Sequence, residues 1–223
     1  MANEKKIGAF FDFDGTLYEG VVAFDFLSFA IRNKTFSLKQ IAKLTKFLYY
    51  YALDKFKIAD RYDVNVKIYG KVKGWSSKKL EETAKKFFEK KARRRIISEM
   101  IKILREHKSK GHTVVIVTSA LNEIVVPIAE WLQVDELIAS EVETDSNHKY
   151  TGIIKNLPVG KMRIKFISDY CRVNNIDLRK SYAYSDHYSD IPMLKNVGNP
   201  VATNPERKMR KYAKRHGWEI VDC

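Results

Sequence analysis

Short, nearly continuous apolar runs alternate with amphipathic helical stretches along this chain, and this alternation restricts its fold more than any other feature. Residues 7–13 and 113–117 form two such runs, and each is typical of a strand that is buried on both faces. Further strand-like runs occupy residues 137–142, 181–184, 200–202 and 219–221, with helical stretches near residues 161–171 and 206–216 between them. The alternation predicts an α/β fold, with a Rossmann-like parallel sheet as its core and helices on both faces of that sheet.

The segment of residues 18–93 interrupts this alternation, because it is basic, aromatic and helical. Helices are predicted near residues 24–31, 38–53, 57–72 and 78–91, and Ser76 or Ser77 is a suitable N-cap for the last of them. We therefore predict a core formed by residues 1–17 and 94–223, with residues 18–93 inserted after the first strand as a helical cap domain. Residues 149–151 follow a polar turn and predict a small hairpin beside the sheet.

The composition indicates a soluble protein with a strongly basic surface. The 223 residues include 41 Lys and Arg against 27 Asp and Glu, a formal charge of +14 that would attract nucleic acid, anionic lipid or phosphorylated metabolites. A solvated surface explains the same charge equally well. Two cysteines, Cys171 and Cys223, indicate no disulfide framework, so we expect a reducing compartment. Because residues 1–6 are polar and the apolar run of residues 47–53 is too short to span a bilayer, we expect a cytoplasmic protein.

Two carboxylates follow the first apolar run, in the sequence Asp12-Phe13-Asp14-Gly15-Thr16. Open α/β sheets bind ligands at the carboxyl ends of their strands, and the Gly-Thr turn lets the second carboxylate swing toward the same cleft as the first. Carboxylates so close together resist joint ionisation unless a cation neutralises them, which favours a hard metal ion such as Mg²⁺. A helix cap or a surface turn is the alternative interpretation of this pair.

A second acidic pair follows the strand-like run of residues 181–184. Asp186 and Asp190 are four residues apart, and Pro192 lies near the start of a following helix. Asp186 is placed to reach the same metal ion as the first pair. Taken alone this spacing is a weak signal, because helix N-capping explains one member of the pair.

Along the sequence, a hydroxyl residue and a lysine fall between the two acidic pairs. Thr118 is expected to end the second strand at the edge that carries the carboxylates, and Lys161 is expected to begin a helix. These are the groups that a bound phosphate needs. Ser119 and Lys165 are neighbouring alternatives; we prefer Thr118 because it directly follows the strand, and Lys161 because it lies nearer the cleft.

The ordered set of these residues resembles the haloacid dehalogenase (HAD) superfamily. The helical insertion resembles a C1-type cap, and residues 181–194 and 198–205 resemble the subfamily IB hydrolases related to phosphoserine phosphatase. The resemblance covers nearly the whole chain. It rests on four motifs in order: Asp12-x-Asp14-Gly15-Thr16, Thr118, Lys161 and Asp186-x-x-x-Asp190.

The resemblance implies a phosphatase that hydrolyses a phosphate monoester. Asp12 would attack phosphorus and form an aspartyl-phosphate, while Asp14 would act as general acid and then as general base. Mg²⁺ would be held by Asp12, Asp186 and the backbone carbonyl of Asp14, and the phosphate oxygens would be bound by Thr118 and Lys161. Asp190 would have a supporting role, orienting the metal shell or Lys161.

One departure from the family pattern reduces the range of candidate substrates. The phosphoserine phosphatases that this chain resembles carry a Glu nine residues after the nucleophile to hold the substrate amine, and here that position is Val21. This departure argues against phosphoserine and leaves a small phosphorylated metabolite or a lipid phosphate. The aromatic run of residues 47–53, with lysines around it, suits peripheral contact of the cap with an anionic membrane, whereas packing within the cap or in a dimer explains it equally well.

Three rival functions remain open from the sequence. They are phosphoserine phosphatase proper, an HAD phosphotransferase that passes the phosphoryl group to an alcohol, and a basic nucleic-acid-binding protein without catalysis. A nucleic-acid partner is not expected, because the four carboxylates would repel phosphates in the absence of metal. Closure of the cap would need hinges, which we predict near residues 17–20 and 93–96.

Overall fold

A seven-stranded sheet forms the centre of the computed structural model, which describes residues 4–37, 39–40, 42 and 60–223. In chain order the strands are β1 (Gly8–Phe11), β2 (Thr113–Leu121), β3 (Glu136–Thr144), β4 (Tyr150–Asn156), β5 (Tyr182–Ser185), β6 (Asn199–Thr203) and β7 (Glu219–Val221). Their order across the sheet is β4-β3-β2-β1-β5-β6-β7, and all neighbours are parallel except β3 and β4. The predicted α/β fold with a parallel core is therefore confirmed.

Helices connect these strands, as the sequence pattern predicts. They are α1 (Val22–Arg32), α2 (Arg61–Gly70), α3 (Ser77–Lys90), α4 (Ser98–Ser109), α5 (Asn122–Leu132), α6 (Lys161–Val173), α7 (Ile191–Leu194) and α8 (Arg207–Arg215). Ser76 is the N-cap of α3, because its hydroxyl accepts a hydrogen bond from the backbone N–H of Lys79. The aromatic run of residues 47–53 and most of the helix predicted at residues 38–53 lie outside the described residues. Within the described part of the chain, no helix has the length and apolarity that crossing a membrane requires.

Apolar side chains cover both faces of the sheet. Along β1, Phe10 belongs to one buried cluster and Phe11 to the other, because successive strand residues point to opposite faces. The cluster that contains Phe11 also takes in Phe26 of α1 and Phe87 of α3, whose rings meet edge to face. Helices inserted after β1 therefore share one hydrophobic core with a face of the sheet.

The predicted hairpin at residues 149–151 belongs to the main sheet. Its second strand, β4, is longer than predicted and pairs antiparallel with β3 as the edge strand of the sheet. The segment that leads into α3 lies alongside it: the N–H of Gly74 donates to the carbonyl of Tyr150, and the N–H of Tyr150 donates to the carbonyl of Trp75. The hairpin thereby holds part of the inserted segment against the sheet edge.

The two segments where the chain leaves and re-enters the core pair with each other. The N–H of Glu19 donates to the carbonyl of Arg95 at 2.8 Å, beside a bridge that joins Tyr18 and Ile96. Asp25 of α1 fixes this crossing, since its carboxylate accepts from the Tyr18 hydroxyl at 2.7 Å and from Arg95 at 2.8 Å. The hinges predicted at residues 17–20 and 93–96 fall on these paired segments and stay a prediction.

Candidate active site

Asp12 lies at the carboxyl end of the central strand β1. Its backbone N–H donates to the carbonyl of Tyr184 on β5, which continues the sheet one residue beyond the strand. The side chain is 6% exposed, and burial raises the pKa of this carboxyl well above its usual range. Arg163 opposes the rise, whereas the neighbouring carboxylates of Asp190, Asp186 and Asp14 add to it.

Asp14 reaches the cleft because β1 ends at Phe11 and the chain turns at Gly15, which has a φ of +79°. One carboxylate oxygen of Asp14, Oδ1, accepts from the backbone N–H of Val22 at 2.7 Å. Burial raises the pKa of Asp14 to about 6, although the Val22 hydrogen bond and the charge of Arg61 act against the rise. A carboxyl with such a pKa can both release and accept a proton near neutral pH.

Asp186 follows β5, which is hydrogen-bonded to β1, and its carboxylate lies against the turn at Gly15. A Cβ atom at Gly15 would stand 2.1 Å from Oδ2 of Asp186, so only glycine leaves room for this carboxylate. Burial, and next the charge of Asp190, raise the pKa of Asp186 to about 7. Oδ1 of Asp186 is buried and has no hydrogen-bond partner among the residues that the structure describes. The strand register therefore brings the first and last predicted motifs to one edge of the sheet.

A buried arginine, which the sequence did not single out, contacts the candidate nucleophile. Nη1 of Arg163 lies 3.1 Å from Oδ1 of Asp12 and 2.7 Å from Oδ1 of Asp190, and the Arg163 side chain is buried. Lys161 begins α6 as predicted, but its side chain is exposed at the first position of that helix. Asp190 was predicted to orient the metal shell or Lys161. In the structure the cation of α6 that pairs with Asp190 is Arg163, not Lys161.

Asp190 is held from two sides. The hydroxyl of Ser185, at the end of β5, donates to Oδ2 of Asp190 at 2.8 Å, while Arg163 contacts Oδ1. Burial alone would raise the pKa of Asp190, but the charges of Arg163 and Arg61 and the hydrogen bond from Ser185 together lower it below its usual range. Asp190 is therefore a fixed anion that orients Arg163 beside Asp12.

Thr118 lies on the neighbouring strand at the same edge of the sheet. In the register of β1 and β2, Phe11 pairs with Ile116, which places Thr118 level with the residues that follow β1. The prediction that Thr118 directly follows the strand is wrong, because β2 continues to Leu121 and its pairing with β3 shifts between Val117 and Leu121. The hydroxyl oxygen of Thr118 accepts from the N–H of Ala120 at 3.0 Å, which leaves its proton available for a ligand.

Two side chains of α2 complete the cleft from the inserted segment. Nη1 of Arg61 donates to the hydroxyl of Ser189 at 2.6 Å, in the short 3-10 turn Tyr188–Asp190. The hydroxyl of Tyr69 donates to the backbone carbonyl of Ser119. Only the basic and aromatic character of the segment pointed to these contacts, since the partners are distant along the chain.

The carboxylates fit a hard divalent metal ion. Asp12 and Asp186 offer oxygen ligands, and a cation would satisfy Oδ1 of Asp186, for which no described residue provides a hydrogen bond. Among the described residues, no group of three or more His, Cys, Asp or Glu side chains could hold a metal ion. Two carboxylates and a backbone carbonyl such as that of Asp14 are nevertheless enough oxygen donors for Mg²⁺, because this ion keeps several waters in its shell.

The fold and the site together define an α/β protein with a buried aspartate at the end of its central strand. The family model of haloacid dehalogenase-like hydrolases matches residues 9–195. The chain belongs to this family, and the predicted resemblance is confirmed.

Similar proteins carry related descriptions. A histidinol-phosphatase from Neisseria meningitidis is 30% identical over 131 residues, which are 56% of this chain and 59% of that protein. A solved structure from Bordetella pertussis, described as a protein of unknown function, has a TM-score of 0.87 at 22% identity and covers 98% of this chain and 99% of its own. A substrate-bound phosphoserine phosphatase has a TM-score of 0.68 at 18% identity, covering 98% and 93%. At these identities the solved structures share the fold alone.

The chain spans about half the length of the first curated relatives that it matches. A Streptomyces azureus protein, described by the inhibition of morphological differentiation, is 32% identical over 67% of this chain and 54% of its own length. For two Mycobacterium tuberculosis relatives the share is 44%. The activity and substrates of those whole proteins therefore carry over only as proposals.

Proposed function

We propose that this chain is a Mg²⁺-dependent phosphatase that hydrolyses a phosphate monoester through an aspartyl-phosphate on Asp12. The observation that carries the proposal is the position of Asp12, which is buried at the end of β1 beside Arg163 and within electrostatic reach of Asp14 and Asp186. Family membership and the description of a 30% identical relative as a histidinol-phosphatase support the same reaction class.

The first chemical step is an in-line displacement at phosphorus. An oxygen of Asp12 forms a bond to phosphorus as the bond to the leaving oxygen breaks, and Asp14 gives its proton to that oxygen. The pKa of about 6 leaves Asp14 partly protonated near neutral pH, so it can act as the acid. Arg163 holds the Asp12 carboxylate in one orientation through the contact at 3.1 Å.

The second step returns the enzyme to its starting state. Asp14, now a carboxylate, takes a proton from a water molecule as that water attacks phosphorus, and the acyl phosphate bond to Asp12 breaks. The products are inorganic phosphate and the free Asp12 carboxylate. The N–H of Val22 orients Asp14 for both transfers, because it holds Oδ1 at 2.7 Å.

Mg²⁺, when bound by the carboxylates of Asp12 and Asp186 and the carbonyl of Asp14, supplies positive charge that offsets repulsion between the aspartates and the phosphate. The other phosphate ligands belong to the chain itself. Thr118 donates its hydroxyl proton, and Lys161, exposed at the start of α6, offers a mobile ammonium to the phosphate oxygens. Asp190 does not bind the phosphate; it holds Arg163 in position beside Asp12.

The substrate class is a small phosphorylated metabolite, with a lipid phosphate as the second candidate. The relative described as a histidinol-phosphatase favours small substrates. The position that would hold the phosphoserine amine is occupied by Val21, which cannot form an ion pair with an ammonium group. We therefore place phosphoserine below other small phosphate monoesters.

Phosphate release from a substrate panel tests the proposal. The panel contains p-nitrophenyl phosphate, phosphoserine, histidinol phosphate, sugar phosphates, nucleotides and short-chain lipid phosphates, each with Mg²⁺ or with EDTA. We expect hydrolysis that EDTA and Asp12→Asn abolish. Asp169→Asn is the matched control, because Asp169 pairs with Arg172 on the surface and its loss should leave turnover unchanged. Wild-type turnover by Asp12→Asn would exclude the covalent mechanism.

A further inference from the structure

Helix α8 carries a concentration of positive charge on the side that faces away from the sheet. Six of its nine residues are Lys or Arg, and none is acidic. Met209 and Ala213 are fully buried in the cluster that also contains Ala202 of β6. Because successive helix residues are rotated by about 100°, the exposed cations fall within one arc of about 120° on the opposite side. This basic face consists of Arg207, Lys208, Lys211, Lys214 and Arg215.

The basic face is unfavourable for the helix itself. Arg207 and Lys211 are four residues apart, as are Lys211 and Arg215, and like charges at this spacing destabilise a helix. Arg207 and Lys208 also lie in the first turn, where the helix dipole disfavours cations, and no side chain caps this end of the helix. An anionic partner would relieve both effects.

A pocket of about 700 Å³ opens at the end of α8, and aromatic rings form part of its wall. Tyr182, His216 and Trp218 line it together with the exposed Lys195. The ring of Tyr212, in the last turn but one of α8, stacks on His216 with centroids 3.9 Å apart and meets Trp218 edge to face at 5.2 Å. Aromatic rings beside cations are the surface on which the bases of a single strand stack.

The pocket lies at the edge of the sheet opposite the candidate active site. Tyr182, Asn199 and Glu219 line it and are the first residues of β5, β6 and β7, which run parallel to β1. Asp12 follows the carboxyl end of β1, so the catalytic carboxylates that would repel a polyphosphate lie at the other edge. Helix α8 runs from the carboxyl end of β6 back to the amino end of β7, and its basic face therefore leads into the pocket.

An anionic membrane and an acidic peptide fit this surface less well than a nucleic acid does. A basic amphipathic helix binds a bilayer by burying its apolar face in it, whereas Met209 and Ala213 of α8 are already buried against the sheet. An acidic peptide would neutralise the basic face but would bring no flat ring into the aromatic pocket. A single strand of nucleic acid supplies phosphates for the first and bases for the second.

We propose that α8 and the pocket at its end form a binding surface for single-stranded nucleic acid. The basic face contacts successive phosphates along a helix of about 13 Å, and a base enters the pocket and stacks on Trp218. This surface is separate from the candidate active site, and the proposal does not depend on the phosphatase reaction.

Fluorescence anisotropy of a labelled single-stranded DNA tests the basic face. The probe has about 12 nucleotides, within the range that one groove binds, and carries no terminal phosphate; EDTA is present so that the catalytic site holds no metal. The double variant Lys211→Gln, Arg215→Gln should raise Kd at least tenfold. It should also reduce the slope of log K against log salt by about 1.4, because each phosphate contact contributes about 0.7. Its melting temperature should not fall, since the substitutions remove repulsion within the helix.

The double variant Lys85→Gln, Lys86→Gln is the matched control. It removes the same charge from two exposed lysines of α3, so its Kd should stay within twofold of the wild type. If the α3 variant weakened binding as much as the α8 variant, the attraction would come from net charge alone and the proposal would be wrong.

An abasic oligonucleotide of the same length tests the pocket without altering the protein. It should bind the wild type at least fivefold more weakly than the probe with bases, and Trp218→Leu should bind both with the same weaker affinity and an unchanged salt slope. Equal binding of the two oligonucleotides by the wild type would overturn the proposal. Tighter binding of phosphatidylglycerol vesicles than of the DNA would overturn it in favour of a membrane.

Discussion

The guanidinium of Arg163 lies 3.1 Å from the carboxylate of Asp12, and both side chains are almost completely buried. A buried charge is tolerated only when it is paired with an opposite charge. Arg163 contacts Asp190 as well as Asp12, so these three side chains form one electrostatic unit. The exposed Lys161, two residues earlier on the same helix, belongs to no such buried unit. The two cations of α6 should therefore respond differently to removal.

Replacing Arg163 and Lys161 one at a time distinguishes a residue that positions Asp12 from one that binds the phosphate. Arg163→Met should lower the stability of the fold by about 3–5 kcal/mol, because it leaves buried carboxylates unpaired, and should also abolish activity. Lys161→Met should leave the melting temperature unchanged and lower kcat/KM roughly 100-fold, since it removes one charged contact to the phosphate. Thermal melts and phosphate release measure both effects.

Lys165→Met is the matched control for this pair, because Lys165 is an exposed lysine on the same helix. It should change neither the melting temperature nor kcat/KM. If Lys165→Met reduced activity as much as Lys161→Met, the assignment of Lys161 as the phosphate ligand would be wrong.

The turn at Gly15 offers a second test. Gly15→Ala would bring a Cβ atom within 2.1 Å of Asp186 at a φ of +79°, so we expect Asp186 to be displaced and kcat to fall at least 100-fold. Gly217→Ala is the control: Gly217 has a φ of +66°, yet nothing lies within 4 Å of its Cβ position. Both variants should lose about 1–2 kcal/mol of stability through backbone strain, but only Gly15→Ala should lose activity.

The fold was predictable because each buried strand carries a continuous apolar run and each helix an amphipathic stripe. The strand that contains residues 219–221 was predicted with its observed bounds, and β1 ends only two residues early. The end of β2 was missed, because polar Thr118 and Ser119 suggested a strand end whereas an irregularity in the pairing with β3 lets the strand continue to Leu121.

The residues of the site that follow strand ends could be predicted from the sequence. Those that reach the site through helix packing could not. Asp12 and Asp186 meet because β1 and β5 are neighbours, which the motif order implies. Arg163 was missed because successive helix residues are rotated by about 100°, and only the packing of α6 on the sheet decides which cation is buried. Arg61 and Tyr69 were missed because their partners are 128 and 50 residues away.

Magnesium should stabilise the folded protein without any substrate present. A ligand at 100 times its dissociation constant adds about 2.7 kcal/mol of stability, which in a chain of this size raises the melting temperature by about 5–10 °C. Asp186→Asn should abolish this shift. The same substitution should raise the melting temperature of the metal-free protein, because it removes a carboxylate that raises the pKa of Asp12 by repulsion.

Asp169→Asn is the control for the magnesium experiment, since it removes a surface carboxylate and should keep the full shift. A magnesium shift that survived in Asp186→Asn would place the ion elsewhere and contradict the proposed ligands.

The stability of the fold should also depend on pH through the buried side chain of His107. Nδ1 of His107 lies 2.7 Å from Nδ1 of His112, and Nε2 of His107 lies 2.7 Å from the hydroxyl of Tyr184. One proton between the two Nδ1 atoms completes the chain of hydrogen bonds, whereas charging both rings would leave two donors facing each other. Burial accordingly lowers the pKa of His107 to about 4, and the charges of His112 and Lys110 act in the same direction.

The sign of this effect follows from proton binding. The unfolded chain, with a histidine pKa near its usual 6.5, binds more protons than the folded chain between about pH 6.5 and pH 4, so stability is full above pH 6.5 and falls as the pH drops through that window. His107→Gln cannot titrate. We expect its loss of stability between pH 7.5 and pH 5, measured by urea unfolding, to be smaller than that of the wild type by about 1–2 kcal/mol. His216→Gln is the control: His216 is exposed, so this variant should keep the wild-type dependence of stability on pH. If His107→Gln and the wild type lost equal stability between pH 7.5 and pH 5, the buried histidine pair would carry no proton-linked stability.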